Sequence, residues 1–233
     1  MRVNSSIPPQ VFQVGVKSAK AATRIIARFV ESHPSATIAF EGKYETLPAH
    51  IREHLPSSRW TKVFPVHHYF TPSAPPDRVK DAARMKTAGE ALGKDIYASL
   101  TKPSNAPGFV LMDELRRSNA GVIKAAAQYL AAQKPTVAGR WGTYVAHVAS
   151  YKQYKNDGVL KALRDAGARV VVEEYPQRLM IEGITQKERD EFRSYVNAAG
   201  LKFLIKQGLD PTVVLGVYAE GSPGMSIAEF VVF

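Results

Sequence analysis

The segment that decides the fold class is Pro107-Gly108-Phe109-Val110-Leu111-Met112-Asp113-Glu114-Leu115. Four apolar residues follow a Pro-Gly break and precede a long Ala-rich pattern, which is typical of a strand buried on both faces of a parallel sheet. The segment ends on two adjacent acids, Asp113 and Glu114. Because the carboxyl ends of parallel strands carry the chemistry in α/β folds, we interpret these acids as functional candidates. The alternative is that one of them caps the helix that begins near Arg116.

Similar strand patterns recur on both sides of this segment. Turn signals and apolar runs predict eight strands in all. Pro65 lies inside the third of them and weakens it, because proline cannot donate to a strand ladder. The predicted strands are Val11–Val16, Ala36–Phe40, Lys62–Phe70, Asp95–Leu100, the quoted segment, Trp141–Val148, Arg169–Pro176 and Val213–Tyr218.

Helical patterns occupy most of the intervals between these strands. Asp77 and Gly93 are interpreted as the start and the end of one helix, and Thr185 with Glu188 has the spacing of a capping box. The predicted helices are Lys17–Ser32, Pro48–Leu55, Asp77–Gly93, Asn119–Gln133, Asp157–Ala168, Thr185–Ala199 and Leu201–Gln207.

This alternation predicts an α/β protein with a single (β/α)8 TIM-barrel-like domain over residues 1–233, since eight parallel strands can close on themselves. No change in composition marks a linker. The apolar tail from Ser226 to Phe233 is too short for a closing helix and its loop, so the last βα unit is expected to be abbreviated, with the tail as one more strand or a packing segment. An open doubly wound sheet is the alternative, but the first strand lacks the G-x-G-x-x-G turn that such sheets often carry.

Charge and composition limit the partners. The chain has 31 Lys+Arg against 21 Asp+Glu, a net charge of +10, which favours anionic partners. Nucleic acid is the less favoured of these, because the basic residues are scattered and no run of five occurs.

No eighteen-residue apolar run predicts a membrane span, and Met1 to Gln10 does not resemble a signal peptide. The chain has no cysteine, which excludes disulfides but says little about the compartment. A cytoplasmic location is the default expectation, and a secreted mature form stays open. The oligomeric state is not predicted.

In a barrel, residues at the strand ends gather on one rim. This rim would be rich in carboxylates, with histidines and tyrosines between them, and such a composition suits the cleavage of glycosidic bonds. The predicted rim residues are Glu41, Lys43, Glu45, His67, His68, Tyr69, Asp113, Glu114, His147, Glu173, Glu174, Tyr175, Tyr218 and Glu220.

The run Gly108 to Glu114, followed by later strands that end on acids, resembles the barrel glycoside hydrolases, in which acids at strand ends supply the acid/base and the nucleophile. On this resemblance we predict Glu114 as the general acid/base and Glu174 or Glu220 as its partner, with Asp113 tuning the pKa of Glu114. Adjacent strand residues point to opposite sides, so only one acid of each pair should face the axis unless the strand ends between them. The predicted substrate-binding residues are Glu41, Lys43, His67, His68, Tyr69, His147, Tyr175 and Tyr218.

Other chemistries remain as alternatives. Histidines beside carboxylates could hold a divalent metal and support a metal-dependent phosphoesterase, but His67, His68 and His147 match no compact metal motif. We therefore predict no cofactor, with a divalent metal left open. A non-catalytic carbohydrate-binding or structural barrel is the third interpretation. The absence of a G-x-S-x-G elbow and of a Walker loop argues against serine hydrolases and nucleotide hydrolysis.

Overall fold

The structure is a computed structural model. It describes residues 11–13, 37–41, 43–74, 77–102, 106–145, 151–174, 185–187, 199–220 and 226–232. The predicted helix Lys17–Ser32 and nearly all of Thr185–Ala199 lie outside these residues, as do His147, Tyr175 and Glu188.

A sheet runs through the described parts of the chain in sequential strand order. Neighbouring strands are parallel from the first to the seventh, and only the last pair is antiparallel. The protein is thus mixed α/β with a parallel sheet, as the sequence predicts. The strands are β1 (Val11–Gln13), β2 (Thr37–Glu41), β3 (Trp60–Phe64), β4 (Phe109–Leu115), β5 (Trp141–Val145), β6 (Arg169–Glu174), β7 (Pro211–Glu220) and β8 (Ser226–Val232).

The described helices lie in the connections between β2 and β7. A short 3₁₀ turn at Tyr44–Thr46 follows β2, and two more at Ser57–Arg59 and Val66–His68 flank β3. The described α-helices are α1 (Ala49–His54), α2 (Arg78–Thr101), α3 (Ala120–Ala132), α4 (Lys134–Val137), α5 (Tyr151–Asn156), α6 (Val159–Asp165) and α7 (Ala199–Lys206).

The predicted strand Asp95–Leu100 is wrong, because these residues form the last turns of α2. Leu92, Ile96 and Leu100 follow one another at four-residue spacing and are at most 2% exposed, which is the pattern of a buried helix face. The anchor segment is therefore the fourth strand of the sheet. The segment from Asp95 to Leu100 is too short for periodicity alone to distinguish a strand from a buried helical turn.

The predicted helix end at Gly93 is wrong. Gly93 lies inside α2, at its contact with α3. A Cβ on Gly93 would lie 2.9 Å from Cδ1 of Tyr129. One on Gly89 would lie 2.3 Å from the carbonyl oxygen of Val122, and one on Gly121 would lie 2.6 Å from Sδ of Met85. These glycines let the two helices approach closely, so their role is packing rather than termination.

The third strand ends earlier than predicted. It stops at Phe64, and His67 and His68 lie in the 3₁₀ turn that follows Pro65, with Tyr69 at its end. Pro65 has no N–H to donate to a neighbouring strand, so pairing ends there.

The tail forms β8, which pairs antiparallel with β7 from Val214 with Val232 to Glu220 with Ser226. Because Asp95–Leu100 is helical, the predicted eighth strand, Val213–Tyr218, is the seventh strand of the sheet. A hairpin needs no crossover helix, which explains how so few residues can complete the sheet.

The core lies between the sheet and the helices. Val110 and Met112 of β4 share one buried cluster with Ile123, Ala126 and Leu130 of α3, and all five are 0% exposed. Leu115 joins the same cluster although it lies three positions after Met112. This spacing breaks the alternation of a regular strand and marks an irregularity at the end of β4.

Candidate active site

A cleft of about 270 Å³ opens where β3 and β4 end. Since these strands are parallel neighbours, their carboxyl ends meet at the same edge of the sheet. On the β3 side the cleft is lined by Val66, His67, Phe70, Thr71 and Pro72. On the β4 side it is lined by Asp113, Arg116, Ser118 and Asn119.

A bulge in β4 positions Asp113. Met112 pairs with Thr143 and Leu115 pairs with Val145, so three steps along β4 face two along β5. Bulges redirect side chains and are frequent next to active sites. Here the core residues Met112 and Leu115 keep their places among the helices, and Asp113 between them lies in the cleft.

The environment of Asp113 favours its protonated form. The side chain is partly buried, and this burial raises the pKa of Asp113 above its ordinary value. The positive charges of Arg116 and His67 act in the opposite direction and only reduce the rise. The cleft therefore combines a carboxyl group whose pKa is raised by burial with two neighbours, Arg116 and His67, whose charge opposes that rise.

The β4–α3 turn is held by two hydrogen bonds from outside the sheet ladder. The Arg116 N–H donates to Oδ1 of Asn119 at 2.8 Å, which fixes the turn just before α3. The Tyr154 hydroxyl of α5 donates to the buried carbonyl of Leu115 at 3.1 Å. Both hydrogen bonds act on the peptide unit between Leu115 and Arg116, so side chains position the backbone at the end of β4.

The opposite wall is held by what we call the Asp81 clamp, formed by Asp81, Arg84, Ser73 and Thr71. Oδ1 of Asp81, a buried residue of α2, accepts the Ser73 hydroxyl at 2.6 Å and the Arg84 guanidinium at 2.8 Å. Arg84 also donates to the Thr71 carbonyl at 3.0 Å and lies 5.3 Å from the centroid of the Phe70 ring. The wall of the cleft at Phe70 to Pro72 is thus fastened to the first turns of α2.

The structure brings together two of the predicted site residues, His67 and Asp113, in one cleft. His68 packs edge-on against His67, with ring centroids 4.3 Å apart, but does not line the cleft. Tyr69 donates to Oδ2 of Asp95 on α2, and burial raises its pKa. Lys43 is exposed beside the first 3₁₀ turn. Neither Tyr69 nor Lys43 lines the cleft.

The remaining predicted residues lie at strand ends, where the structure describes the backbone only. The structure does not describe their side chains, so their convergence on the cleft stays a prediction. Its members are Glu41 at the end of β2, Glu114 in β4, Glu173 and Glu174 at the end of β6, and Tyr218 and Glu220 in β7.

On the β4 side of the cleft, three polar residues, Arg116, Ser118 and Asn119, are missing from the predicted site. They lie in the loop after the anchor strand, which is where βα loops of parallel sheets carry functional groups. Their position directly after a predicted strand is the sequence signal that could have identified them. The interpretation of this stretch as the start of a helix concealed it, whereas α3 begins only at Ala120.

No family model, curated protein or solved structure was found to match this chain. Within the described ranges, no group of three or more His, Asp or Glu side chains is arranged to hold a metal ion. Among the described helices, none combines the length and the apolar character needed to cross a membrane.

Proposed function

We propose that the protein is a hydrolase that cleaves a glycosidic bond, with Asp113 as the proton donor to the leaving oxygen. One observation carries this proposal: a partly buried carboxyl group, biased toward its protonated form, lines a cleft at the carboxyl ends of two parallel strands. A general acid must hold its proton at the working pH, and burial is the usual means of keeping a carboxylic acid protonated.

The proposal includes a (β/α)8-like barrel formed by a single domain. Its support is the sequential strand order and the contact between β1 and β8, the first and last strands. A closed sheet would bring the ends of β2 to β7 to one rim, where the predicted acids would surround the cleft.

The register of the strands favours β6 as the source of the second carboxylate. β6 is separated from β4 by β5 alone, which puts their backbones about 10 Å apart. Glu220 lies five residues beyond Leu215, the partner of Glu174, which amounts to about 16 Å along the strand. Glu173 or Glu174 is therefore the better candidate for the nucleophile or the base, and Glu220 the weaker one.

Activity measurements on a panel of aryl glycosides and oligosaccharides test this function. Asp113→Asn keeps the shape of the side chain but cannot donate a proton, so the rate of cleavage should fall by about 10²–10⁴-fold. Asp157→Asn, at an exposed residue between α5 and α6, is the matched control and should leave the rate unchanged. An Asp113→Asn variant as active as the parent protein would refute the proposal, and no cleavage of any glycan would favour the non-catalytic interpretation.

A second candidate is the cleavage of phosphodiesters, which the presence of Arg116 and His67 in the same cleft favours. A guanidinium can neutralise a phosphate, while histidine and a carboxylic acid can exchange protons with it. Hydrolysis of bis-p-nitrophenyl phosphate, with and without EDTA, tests this function and its metal dependence. The phosphodiester candidate requires that activity to be lost in both His67→Gln and Arg116→Gln.

A further inference from the structure

Lys62 is a partly buried amine in the middle of β3, outside the lining of the cleft. Its side chain faces α2, where Nζ donates to Oγ of the buried Ser99 at 3.1 Å. Nζ also lies 4.5 Å from the centroid of the Phe64 ring, two positions along the same strand. A neutral hydroxyl and an aromatic ring thus hold this amine in one place, whereas a lysine at the surface keeps its flexible stem free.

The environment of Lys62 raises the share of its amine that is free of the extra proton. Burial lowers the pKa of Lys62, and the positive charges of Lys102 and Lys43 lower it further. The negative charges of Asp95 and Glu45 act in the opposite direction and only reduce the effect. A free amine is the nucleophilic form of lysine, and burial is a common means of producing it.

The Ser99 hydroxyl suits the charged amine, the free amine and an acylated product of Lys62. It accepts a hydrogen bond from the ammonium, and it can donate one to the lone pair of the free amine. An acylated lysine has lost its charge but keeps one N–H, which can still donate to Ser99. Conversion to an amide therefore ends the cost of burying a charge and leaves a hydrogen bond to α2 possible.

Two exposed lysines make the surroundings of this amine positive. Lys43 lies just before the first 3₁₀ turn and Lys102 directly after α2, and the charges of both act on Lys62. Within the described ranges, the side-chain amines of Lys43 and Lys102 have no hydrogen-bond or ion-pair partner. They can therefore attract an anion that approaches Lys62, and the net charge of +10 attracts anions over a longer range.

We propose that Lys62 is a site of covalent acylation by acyl phosphates. The free amine attacks the carbonyl carbon, the C–N bond forms and the C–O bond to phosphate breaks. Phosphate leaves with the bonding electrons and the surplus proton on nitrogen passes to water, so neither an oxidant nor a reductant is needed. The anionic phosphate is the part of the donor that Lys43 and Lys102 attract. This inference does not depend on the proposed glycosidase function, because Lys62 does not line the cleft.

Brief treatment of the whole protein with acetyl phosphate, followed by peptide mass spectrometry, measures acetylation at each lysine. Lys86 and Lys94 are the internal references, because both are exposed on α2. At pH 7 we expect Lys62 to react at least about fivefold faster than either, since more of it is free amine. This advantage should shrink toward pH 10, where an ordinary lysine also begins to lose its proton.

Acyl donors of different charge test the attraction of anions. p-Nitrophenyl acetate delivers the same acetyl group without a negative charge, so the advantage of Lys62 should be smaller with it. Lys43→Gln and Lys102→Gln should each slow the acetylation of Lys62 by acetyl phosphate more than by p-nitrophenyl acetate. Lys80→Gln, at the other end of α2, is the matched control and should change neither rate. Lys62→Arg keeps the charge and the hydrogen-bond donors, and its peptide should take up no acetyl group.

Equal rates at Lys62 and at the two reference lysines at pH 7 would overturn the inference. An advantage that is unchanged at pH 10 would also overturn it, because it would reflect the exposure of the side chains rather than the share of free amine. An equal advantage with both donors, or equal effects of Lys80→Gln and Lys102→Gln, would show that acyl phosphates are the wrong class of donor. Circular dichroism of each variant confirms that a change in rate does not come from unfolding.

Discussion

The carboxylate of Asp81 accepts both the backbone N–H and the hydroxyl of Ser73, eight residues earlier in the chain. These hydrogen bonds, led by that from the Ser73 hydroxyl, hold the pKa of Asp81 below its ordinary value. A carboxyl group with a lowered pKa stabilises the fold above its ordinary pKa, and this contribution disappears as the pH falls through the lowered value. We therefore expect Asp81→Asn to lower Tm at pH 7 and to have a shrinking effect toward pH 2.

The control for this substitution is Asp77→Asn, at the start of the same helix. Oδ1 of Asp77 accepts the Lys80 N–H at 2.9 Å as an N-cap, a position where Asn serves about as well as Asp. Hydrogen exchange at residues 70–73 should increase in Asp81→Asn alone. Similar exchange in the two variants would show that the Asp81 clamp does not hold this wall of the cleft.

Asp113→Asn should make the protein more stable at neutral pH. Burial raises the pKa of Asp113 against the opposing charges of Arg116 and His67, so the folded state loses stability when this carboxyl ionises. The amide removes that cost above the raised pKa and changes little below the ordinary value. Thermal unfolding at pH 7 and pH 3 should show a higher Tm for the variant at pH 7 only. A lower Tm at pH 7 would mean that the ionised form is the one that the fold favours.

Gly89→Ala should destabilise the protein by about 1–3 kcal/mol, because the new Cβ would meet the Val122 carbonyl oxygen at 2.3 Å and backbone cannot move aside cheaply. Gly121→Ala is the matched comparison. Its Cβ would meet the flexible side chain of Met85, so the cost should be smaller and partly offset by the higher helix propensity of alanine, worth about 1 kcal/mol. Urea unfolding of both variants gives the two values. Equal losses would contradict close backbone packing at Gly89.

Tyr154→Phe should cost about 1–3 kcal/mol, since the buried carbonyl of Leu115 loses its donor. Tyr69→Phe removes a hydrogen bond to Asp95, whose exposed carboxylate can bind water instead, so roughly 0.5 kcal/mol is expected. Urea unfolding compares the two. If the order were reversed, the Tyr154 hydroxyl would not be a support of the β4 end.

The sequence predicts the parts of the fold that depend on local pattern. The apolar run of β4 and the Ala-rich helix after it are found within a few residues of their predicted bounds. The prediction fails where tertiary packing decides: Gly93 has the composition of a helix end, but its lack of a side chain serves the contact with Tyr129. A bulge has no reliable signal in a single sequence, so the position of Asp113 relative to Arg116 could not be derived. The side chains of Glu114 and Glu174 remain predicted partners only.

The close contact of α2 and α3 through Gly89 and Gly121 has a consequence for recognition. The wall that contains Phe70 and Thr71 is fastened to α2, and the turn that contains Arg116 leads into α3. We therefore expect the spacing between these two helices to set the width of the cleft. A single methyl group added at this helix crossing should therefore change the width of the cleft without altering any residue that lines it.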